Sequence, residues 1–545
     1  MPMLTIGQSV DYKVNTDLEP SDLPLSIFTD GENFKLTSKG ITTFNGSKLL
    51  STPPAATTVE TWDAPIGTWD DDLLAWEAGE PTKAGLVVYV PGTLESYYAV
   101  LCRNKVLTFD GSNWGSISPG LEYLPLSEGS ESLWTACKLG QAVIFNNPQS
   151  YPLYWQPTLE GNPLKPLDFS PTQTWKAVRK RANVVRSHKN FLFALNLREG
   201  ATELPTSYRW SHPADINGLP FTWDETDLSA IAGIASIEGS GGNIVDGLSL
   251  RDTFVIYAER AIYLLSFTGD EFVWRIRPLT ESYGLLSTNC VVEVKGIHYF
   301  MTDSDIMYTD GNSVESLLYN MFQRKFVSTL SKKNYKAAFA VANYSTKEIW
   351  FCYPSATSVP DKAVVYNWVN KQISFRDLPG IVSAAVGPTL TSSETWDSST
   401  GSWDEDTLPW NTAFSTYFDY NVVGISSTGK LSNLEINAVN EPYNTVIEKL
   451  SFPVSNEPNT QASTINIAYP RIRCSGKVAI QFGVQDDFYD DINWGEALEF
   501  MPDVSKQVEP RSGSGKYHSF RIFSSEDRPF TFVGMQLSIV TRGSR

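Results

Sequence analysis

Four histidines are all that this chain of 545 residues offers for imidazole chemistry. His188, His212, His298 and His518 stand singly, outside any His-Glu-x-x-His, His-x-x-x-His or Cys-x-x-Cys-His spacing that would aim two ligands at one metal. No Gly-x-Ser-x-Gly elbow is present, and Arg511–Lys516 (RSGSGK) lacks the first Gly and the final Ser or Thr of a phosphate-binding loop, so it reads as a flexible turn. Two acidic runs, Asp63, Asp70, Asp71, Asp72 and Asp397, Asp404, Glu405, Asp406, have the ligand type for calcium but neither the spacing nor the Gly of an EF-hand. No metal, no cofactor and no catalytic residue is assigned on these residues, and the expectation is a non-enzymatic protein.

Paired carboxylates for glycoside hydrolysis need proximity in space and no fixed spacing along a chain, so that chemistry stays open. The segment Thr108–Trp114 (TFDGSNW) approaches the Asp-box turn of sialidases but is one residue short and occurs once. A glycan-binding or glycan-hydrolysing β-propeller acting on a host surface polysaccharide is therefore the alternative reading.

A duplication carries more information. Glu60–Trp76 (ETWDAPIGTWDDDLLAW) and Glu394–Trp410 (ETWDSSTGSWDEDTLPW) place Trp62, Trp69 and Trp76 against Trp396, Trp403 and Trp410 with the same seven-residue steps, and Thr222–Leu228 is a partial third copy. Pro65, Pro409 and the glycines favour a looped segment over a helix. Three indoles on a short polar segment need a neighbouring surface. They either cap the opening and closing units of a repeated fold or anchor subunit contacts, and these six tryptophans are the candidate interface residues.

Composition bounds what must position them. Hydrophobic residues at 41% and charged residues at 19% exclude disorder for most of the chain. A net charge of −18 repels phosphate backbones and anionic headgroups. Two basic stretches interrupt it: Lys176, Arg179, Lys180, Arg181, Arg186 and Lys189, then Arg324, Lys325, Lys332, Lys333 and Lys336. They read as solvated faces, with a contact to an acidic partner or a local touch on DNA as the alternative. Five scattered cysteines form no framework and read as reduced thiols. Met1–Val10 lacks a basic leader, and no run of 18 apolar residues occurs, so a soluble chain made in a cytoplasm is expected, with no membrane-spanning segment.

Dense Gly and Pro punctuation between aromatic and β-branched runs predicts an all-β fold. A hairpin unit recurs at Tyr98–Gly111, Phe254–Gly269 and His298–Gly311, more weakly at Val422–Leu434, with further strands at 142–145, 191–195, 348–353 and 363–368. Strand-turn units every roughly 40 to 55 residues imply propeller blades packed about an axis, about six of them. One helix is expected after Asn312, with Glu315 in capping-box spacing and Val314, Leu317, Leu318, Met321, Phe322 and Phe326 at steps of three and four. The predicted organisation is residues 1–80 as N-terminal strands and the Trp-rich segment joining two bodies, 81–440 as the β-propeller, and 441–545 as a C-terminal β-sandwich-like platform.

Phe28–Gly46 (FTDGENFKLTSKGITTFNG), with Asp30, Gly31, Asn33 and Gly40, resembles the opening strand pair of the tail nozzle, or tail hub, proteins of short-tailed bacteriophages, including the packaged-DNA stabilisation type. Tyr208–Phe221 is similar to their Trp-Ser-x-x-x-Asp turn, Thr253–Gly311 to adjacent blades through Glu259, Arg260, Ile262, Gly284, Gly296 and Gly311, and 478–494 and 516–545 to their last strands. The paired Trp segments depart from that pattern. The resemblance implies a structural virion protein made in the host cytoplasm and residing in the tail. It implies a homo-oligomer, commonly a hexamer, docked on the adaptor and portal complex, with tail fibres or spikes as further partners. Genomic DNA would be retained and then pass through its lumen without sequence-specific binding. The acidic charge leads to the expectation that carboxylates face that lumen and let DNA slide.

Overall fold

The computed structural model describes residues 3–7, 13–37, 39–54, 83–91, 96–120, 123–124, 126–157, 163–239, 241–269, 273–388, 420–436, 445–454, 461–474, 476–524 and 529–541. Among them the chain is all-β, with seven four-stranded antiparallel sheets following one another along the sequence. Sheet 1 is Ala84–Pro91, Ser96–Cys102, Val106–Phe109 and Trp114–Ser116; sheet 2 runs from Thr135–Leu139 to Lys165–Pro166. Sheet 3 runs from Lys180–His188 to Gly233–Ser236, sheet 4 from Ile244–Leu250 to Trp274–Thr280, and sheet 5 from Val291–Val294 to Val314–Ser316. Sheet 6 spans Phe339–Asn343 to Gln372–Asp377. Sheet 7 joins Ile381–Pro388, Tyr420–Ser426 and Leu431–Ile436 to a strand from far upstream, Gly46–Ser51.

Packing makes these sheets a propeller. From sheet 2 to sheet 7 the first strand of each sheet contacts the first strand of the next, and Ile381–Pro388 returns to Ala84–Pro91. Sheets 1 and 2 share a core of Val90, Leu101, Trp134, Phe145 and Trp155. Second strands are covered on both faces, which is why they read as unbroken apolar runs: all six residues of Glu348–Tyr353 (EIWFCY) are buried. The expected hairpins and the four further strands all lie in these sheets. Where about six units were expected, seven four-stranded sheets are present among the described residues. The last of them is completed by one strand from outside 81–440, Gly46–Ser51, which no local period reveals.

Sheets 2 to 5 each open with a two-residue turn whose first residue is left-handed. Gly140, Lys189, Arg251 and Lys295 take φ of 56, 51, 51 and 53. They join the pairs Leu139–Ala142, His188–Phe191, Leu250–Thr253 and Val294–Ile297. Left-handed φ at the first turn position suits the right-handed twist of the strands it joins.

The expected helix after Asn312 is a correction. The Asp310 carboxylate accepts the amides of Asn312 and Ser313 (2.9 and 3.3 Å), closing a turn, and Val314–Ser316 continues as the fourth strand of sheet 5. In this segment the α-helix begins later and is short, Gln323–Thr329. The apolar spacing that suggested a longer helix is used by Leu318, Phe322 and Phe326 to fill the core beneath it.

Strands from both chain ends build a second body. Phe530–Thr541 pairs along its length with Ser463–Cys474 on one side and with Met3–Ile6 and Gly40–Thr43 on the other, and Phe34–Thr37 adds to the edge. The facing sheet has the order Asp30–Glu32, Thr445–Pro453, Tyr517–Ser524, Val478–Gln485, Asn493–Trp494, with Leu498–Phe500 also on Val478–Gln485. Phe28 lies between the two, edge-on to Phe520 (6.3 Å) and Phe532 (5.9 Å). Strands drawn from residues 1–80 thus divide between this sandwich and sheet 7. Gly31 has to be glycine here, because a Cβ would stand 2.6 Å from the Val446 carbonyl oxygen.

Candidate functional site at the propeller hub and the sandwich junction

Arg186 belongs to the first strand of sheet 3 and was expected on a solvated face; it lies instead in a closed network. Its Nε and Nη2 donate to the two carboxylate oxygens of Asp246, both at 2.8 Å, Nη2 also reaches Asn289 Oδ1 (2.7 Å), and Nη1 donates to the Ala136 carbonyl (2.9 Å). Asp246, fully buried on the first strand of sheet 4, also accepts the Gly247 amide (2.7 Å) and the Asn289 amide (2.9 Å). Asn289, at φ 64 before sheet 5, donates to the Trp134 carbonyl (3.1 Å) at the start of sheet 2, and its own carbonyl accepts the Ala340 amide of sheet 6 (2.8 Å).

Sheets 2 and 5 are not neighbours around the ring, so this contact crosses the axis. The bidentate ion pair satisfies the carboxylate and the guanidinium together. Four donors already converge on Asp246, which leaves it no role toward a substrate. The network is a lock across the propeller axis.

Other buried titratable groups are quiet because burial disfavours their charged forms. Burial pushes the Cys137 thiol up to about 12, away from nucleophilic use. His298 is held between the Tyr257 hydroxyl (2.8 Å) and the Ser249 carbonyl (2.9 Å), and burial lowers its pKa to about 4. His188, bonded to Ser249 Oγ at 2.6 Å, and His518, bonded to Ser463 Oγ at 2.9 Å, are lowered to about 4, chiefly by burial. The sign follows: an unfolded histidine takes a proton near pH ~6.5, the folded ones only near 4, so these groups stabilise the fold above that window and lose that contribution as pH falls through it. A His298→Asn variant, less stable than wild type at neutral pH, should regain about 2–3 kcal/mol relative to it by pH ~4. Parallel thermal melts across that range check this, and a constant difference would contradict it.

A second polar cluster lies where the sandwich meets the propeller, on the residues that carry the family resemblance. Asn33 sits at φ 60; its Nδ2 donates to Asp377 Oδ2 (2.8 Å), its Oδ1 accepts the Asp377 amide (2.7 Å), and its amide donates to the Phe375 carbonyl (2.9 Å). Asparagine tolerates that backbone better than most residues while supplying both a donor and an acceptor. Lys325 binds Asp30 at 2.5 Å, and Lys362 binds Glu32 (3.3 Å) and Asp377 (2.9 Å). Lys35 lies between Glu348 (3.0 Å) and Glu435 (2.6 Å), beside the Arg376 guanidinium, which stacks over Phe44 and Trp350. Gly284 is matched by a close approach: a Cβ there would stand 2.2 Å from the Glu259 carbonyl.

The six candidate tryptophans, Trp62, Trp69, Trp76, Trp396, Trp403 and Trp410, lie outside the described residues, as do the two acidic runs between them. The partial copy Thr222–Leu228 is described. Trp223 is buried edge-on against Trp175 (5.0 Å), and Asp224 Oδ1 accepts the Thr226 amide at 2.9 Å. The Asp-box-like segment is a turn in which Asp110 Oδ1 accepts the amides of Ser112 (2.7 Å) and Asn113 (2.6 Å). Most of the first basic stretch is absorbed locally: Lys180 pairs with Glu199 (3.0 Å), Lys189 with Asp252 (3.2 Å), and Arg181 lies over Tyr151. Among the described residues no three His, Cys, Asp or Glu side chains converge as metal ligands, and no helix is long and apolar enough to cross a membrane.

No family profile and no curated protein matches the chain. Solved structures similar to it include virginiamycin B lyase from Staphylococcus aureus, at 8% identity and a TM-score of 0.39 over 66% of this chain and 96% of that one. The Pan2 WD40 domain of Neurospora crassa is similar at 8% identity and a TM-score of 0.36, over 74% of this chain and 98% of that one. At such identities neither likeness extends to an activity.

Proposed function

We propose that this chain is a structural, non-enzymatic virion protein of a short-tailed bacteriophage. Copies of it, six in the reading drawn from the resemblance, form the tail nozzle below the portal and adaptor, retaining packaged DNA and conducting it outward at ejection. The observation that carries the reading is the lock of Arg186, Asp246 and Asn289 across the propeller axis. A propeller bridged at its hub by hydrogen-bonded groups is a rigid block, which supports a lumen formed between copies. The sandwich, tied to sheets 6 and 7 through Asn33 and Lys35, serves as the platform toward the adaptor, and the six tryptophans outside the described residues remain the proposed subunit anchors.

Purified protein added to the portal and adaptor assembly of its virion tests this. Stoichiometric incorporation that keeps DNA inside filled heads is the expected result. Failure to bind, together with depolymerisation of host surface polysaccharide by the isolated chain, would replace this reading with the glycan-active one.

A further inference from the structure

The second basic stretch is only partly absorbed. Lys325 is spent on Asp30, whereas Arg324, Lys332, Lys333 and Lys336 are exposed, and none has a carboxylate at ion-pair distance among the described residues. They form a ledge on the helix Gln323–Thr329 and the turn after it. The ledge is fixed in place: Asp17 accepts the amides of Gln323 and Arg324 (2.9 and 3.2 Å), the Ser331 amide donates to the Pro354 carbonyl (2.9 Å), and Asn334 Nδ2 donates to the Thr357 carbonyl (2.9 Å). Exposed apolar surface lies on the same segment, at Tyr319 (66% exposed) and Val327 (39%). Four cations and two apolar side chains on a rigid ledge, in a chain of net charge −18, make a docking surface for something acidic with an aromatic of its own.

The chain itself carries that complement. After the strand Val478–Gln485 the sequence Asp486–Asn493 (DDFYDDIN) turns back, held by Gln485 Nε2 donating to the Asp490 carbonyl and by the Asp487 amide on Asp490 Oδ2 (3.1 Å). Asp486, Asp487, Asp490 and Asp491 are exposed, and Phe488, packed on Tyr517, leaves Tyr489 91% exposed between the two acidic pairs. Tyrosine presented this way is a frequent hot-spot residue.

Among the described residues the two patches make no ion pair with each other within one molecule. The ledge adjoins Asp30–Glu32 at one edge of the sandwich sheet, whereas the acidic turn leaves the strand three places across and at the opposite end, where Gln485 aligns with Tyr517 and Pro453. Strand spacing and rise put the acidic turn on the order of 20 Å from Asp30–Glu32, the edge that the ledge adjoins through Lys325, beyond the ~10 Å screening length at ordinary ionic strength.

We infer that the ledge of Arg324, Lys332, Lys333 and Lys336 binds the Asp486–Asp491 turn of a second copy of this chain, with Tyr489 set against Tyr319 and Val327. Different patches on the two partners make the contact head-to-tail, the kind that propagates and closes into rings. The inference rests on the reading of the chain as a ring subunit and supplies the side chains that would join one subunit to the next.

Sedimentation at low salt tests it with three variants: Lys332→Glu with Lys333→Glu, Asp486→Lys with Asp491→Lys, and all four together. All these side chains are exposed, and each variant is checked for wild-type circular dichroism and melting. Each pair of reversals should weaken self-association at least ~10-fold, and the fourfold variant should recover it to within a factor of ~2. Reversals that leave association unchanged, or a fourfold variant that fails to recover it, overturn this contact while the ring reading stands. A wild-type chain that stays monomeric at every concentration overturns the ring reading and this contact with it.

Discussion

Asp246→Ala should destabilise the propeller by about 3–5 kcal/mol, the range for removing one partner of a buried ion pair. The cost falls chiefly on what stays behind. Arg186 would keep a guanidinium, 12% exposed at its side chain, with the Asn289 side chain and the Ala136 carbonyl but no anion. The Gly247 and Asn289 amides would lose their acceptor. Because the network ties sheets 2 to 6 across the axis, loosening it should lower the unfolding midpoint of the whole ring. Replacing both partners, Arg186→Met with Asp246→Leu, removes the stranded charge and should recover a large part of the loss. Denaturant titrations of the single and double variants make the comparison. A single variant within about 0.5 kcal/mol of wild type would show that the lock does not hold the hub.

Lys35→Met should be nearly as damaging, at about 2–5 kcal/mol, because it leaves Glu348 and Glu435 facing each other without their shared cation. Burial opposes the charge on Lys35, but Glu435 and then Glu348 more than offset it, and its pKa ends above the ordinary lysine value. Burial already raises the Glu348 pKa, with Lys35 pulling the other way. Without the lysine that carboxyl should rise further and take up a proton. A carboxyl whose folded pKa lies above its unfolded value stabilises the fold at low pH and loses that contribution as pH rises through the folded value. The deficit of the variant should therefore be largest at neutral pH and shrink toward pH ~4. Melting wild type and variant in parallel over that interval measures it, and a deficit that grows on acidification would contradict the arrangement.

Much of the propeller was legible because its hairpins are local. Apolar strand, short polar turn and apolar strand at Tyr98–Gly111 or His298–Gly311 need no distant partner to be recognised, and each is a strand pair in the structure. The closure was not legible, since Gly46–Ser51 pairs with Leu431–Ile436 across most of the chain and short paired strands carry no label for their partners. The segment after Asn312 misled for the opposite reason: its spacing of three and four is genuine, but an aspartate two residues upstream fixed a turn first. The hub was missed because Arg186 lies among basic neighbours, while the partners that bury it are 60 and 103 positions away. At the junction, Asn33 stood out only through the resemblance; its partner Asp377, 344 positions on, explains why an asparagine stands there. Lys35 gave no signal, because one lysine on an alternating strand looks the same whether it faces water or two glutamates.

Copies of this chain are proposed to join around a lumen that none of them contains alone. Single-particle imaging of the purified full-length protein is the most direct test of this. The expected particle is a closed ring of several copies, with an open centre between protomers and density bridging each propeller axis at Arg186 and Asp246. A particle of one copy under every condition of salt and concentration, or an open passage through the propeller axis itself, would contradict the account.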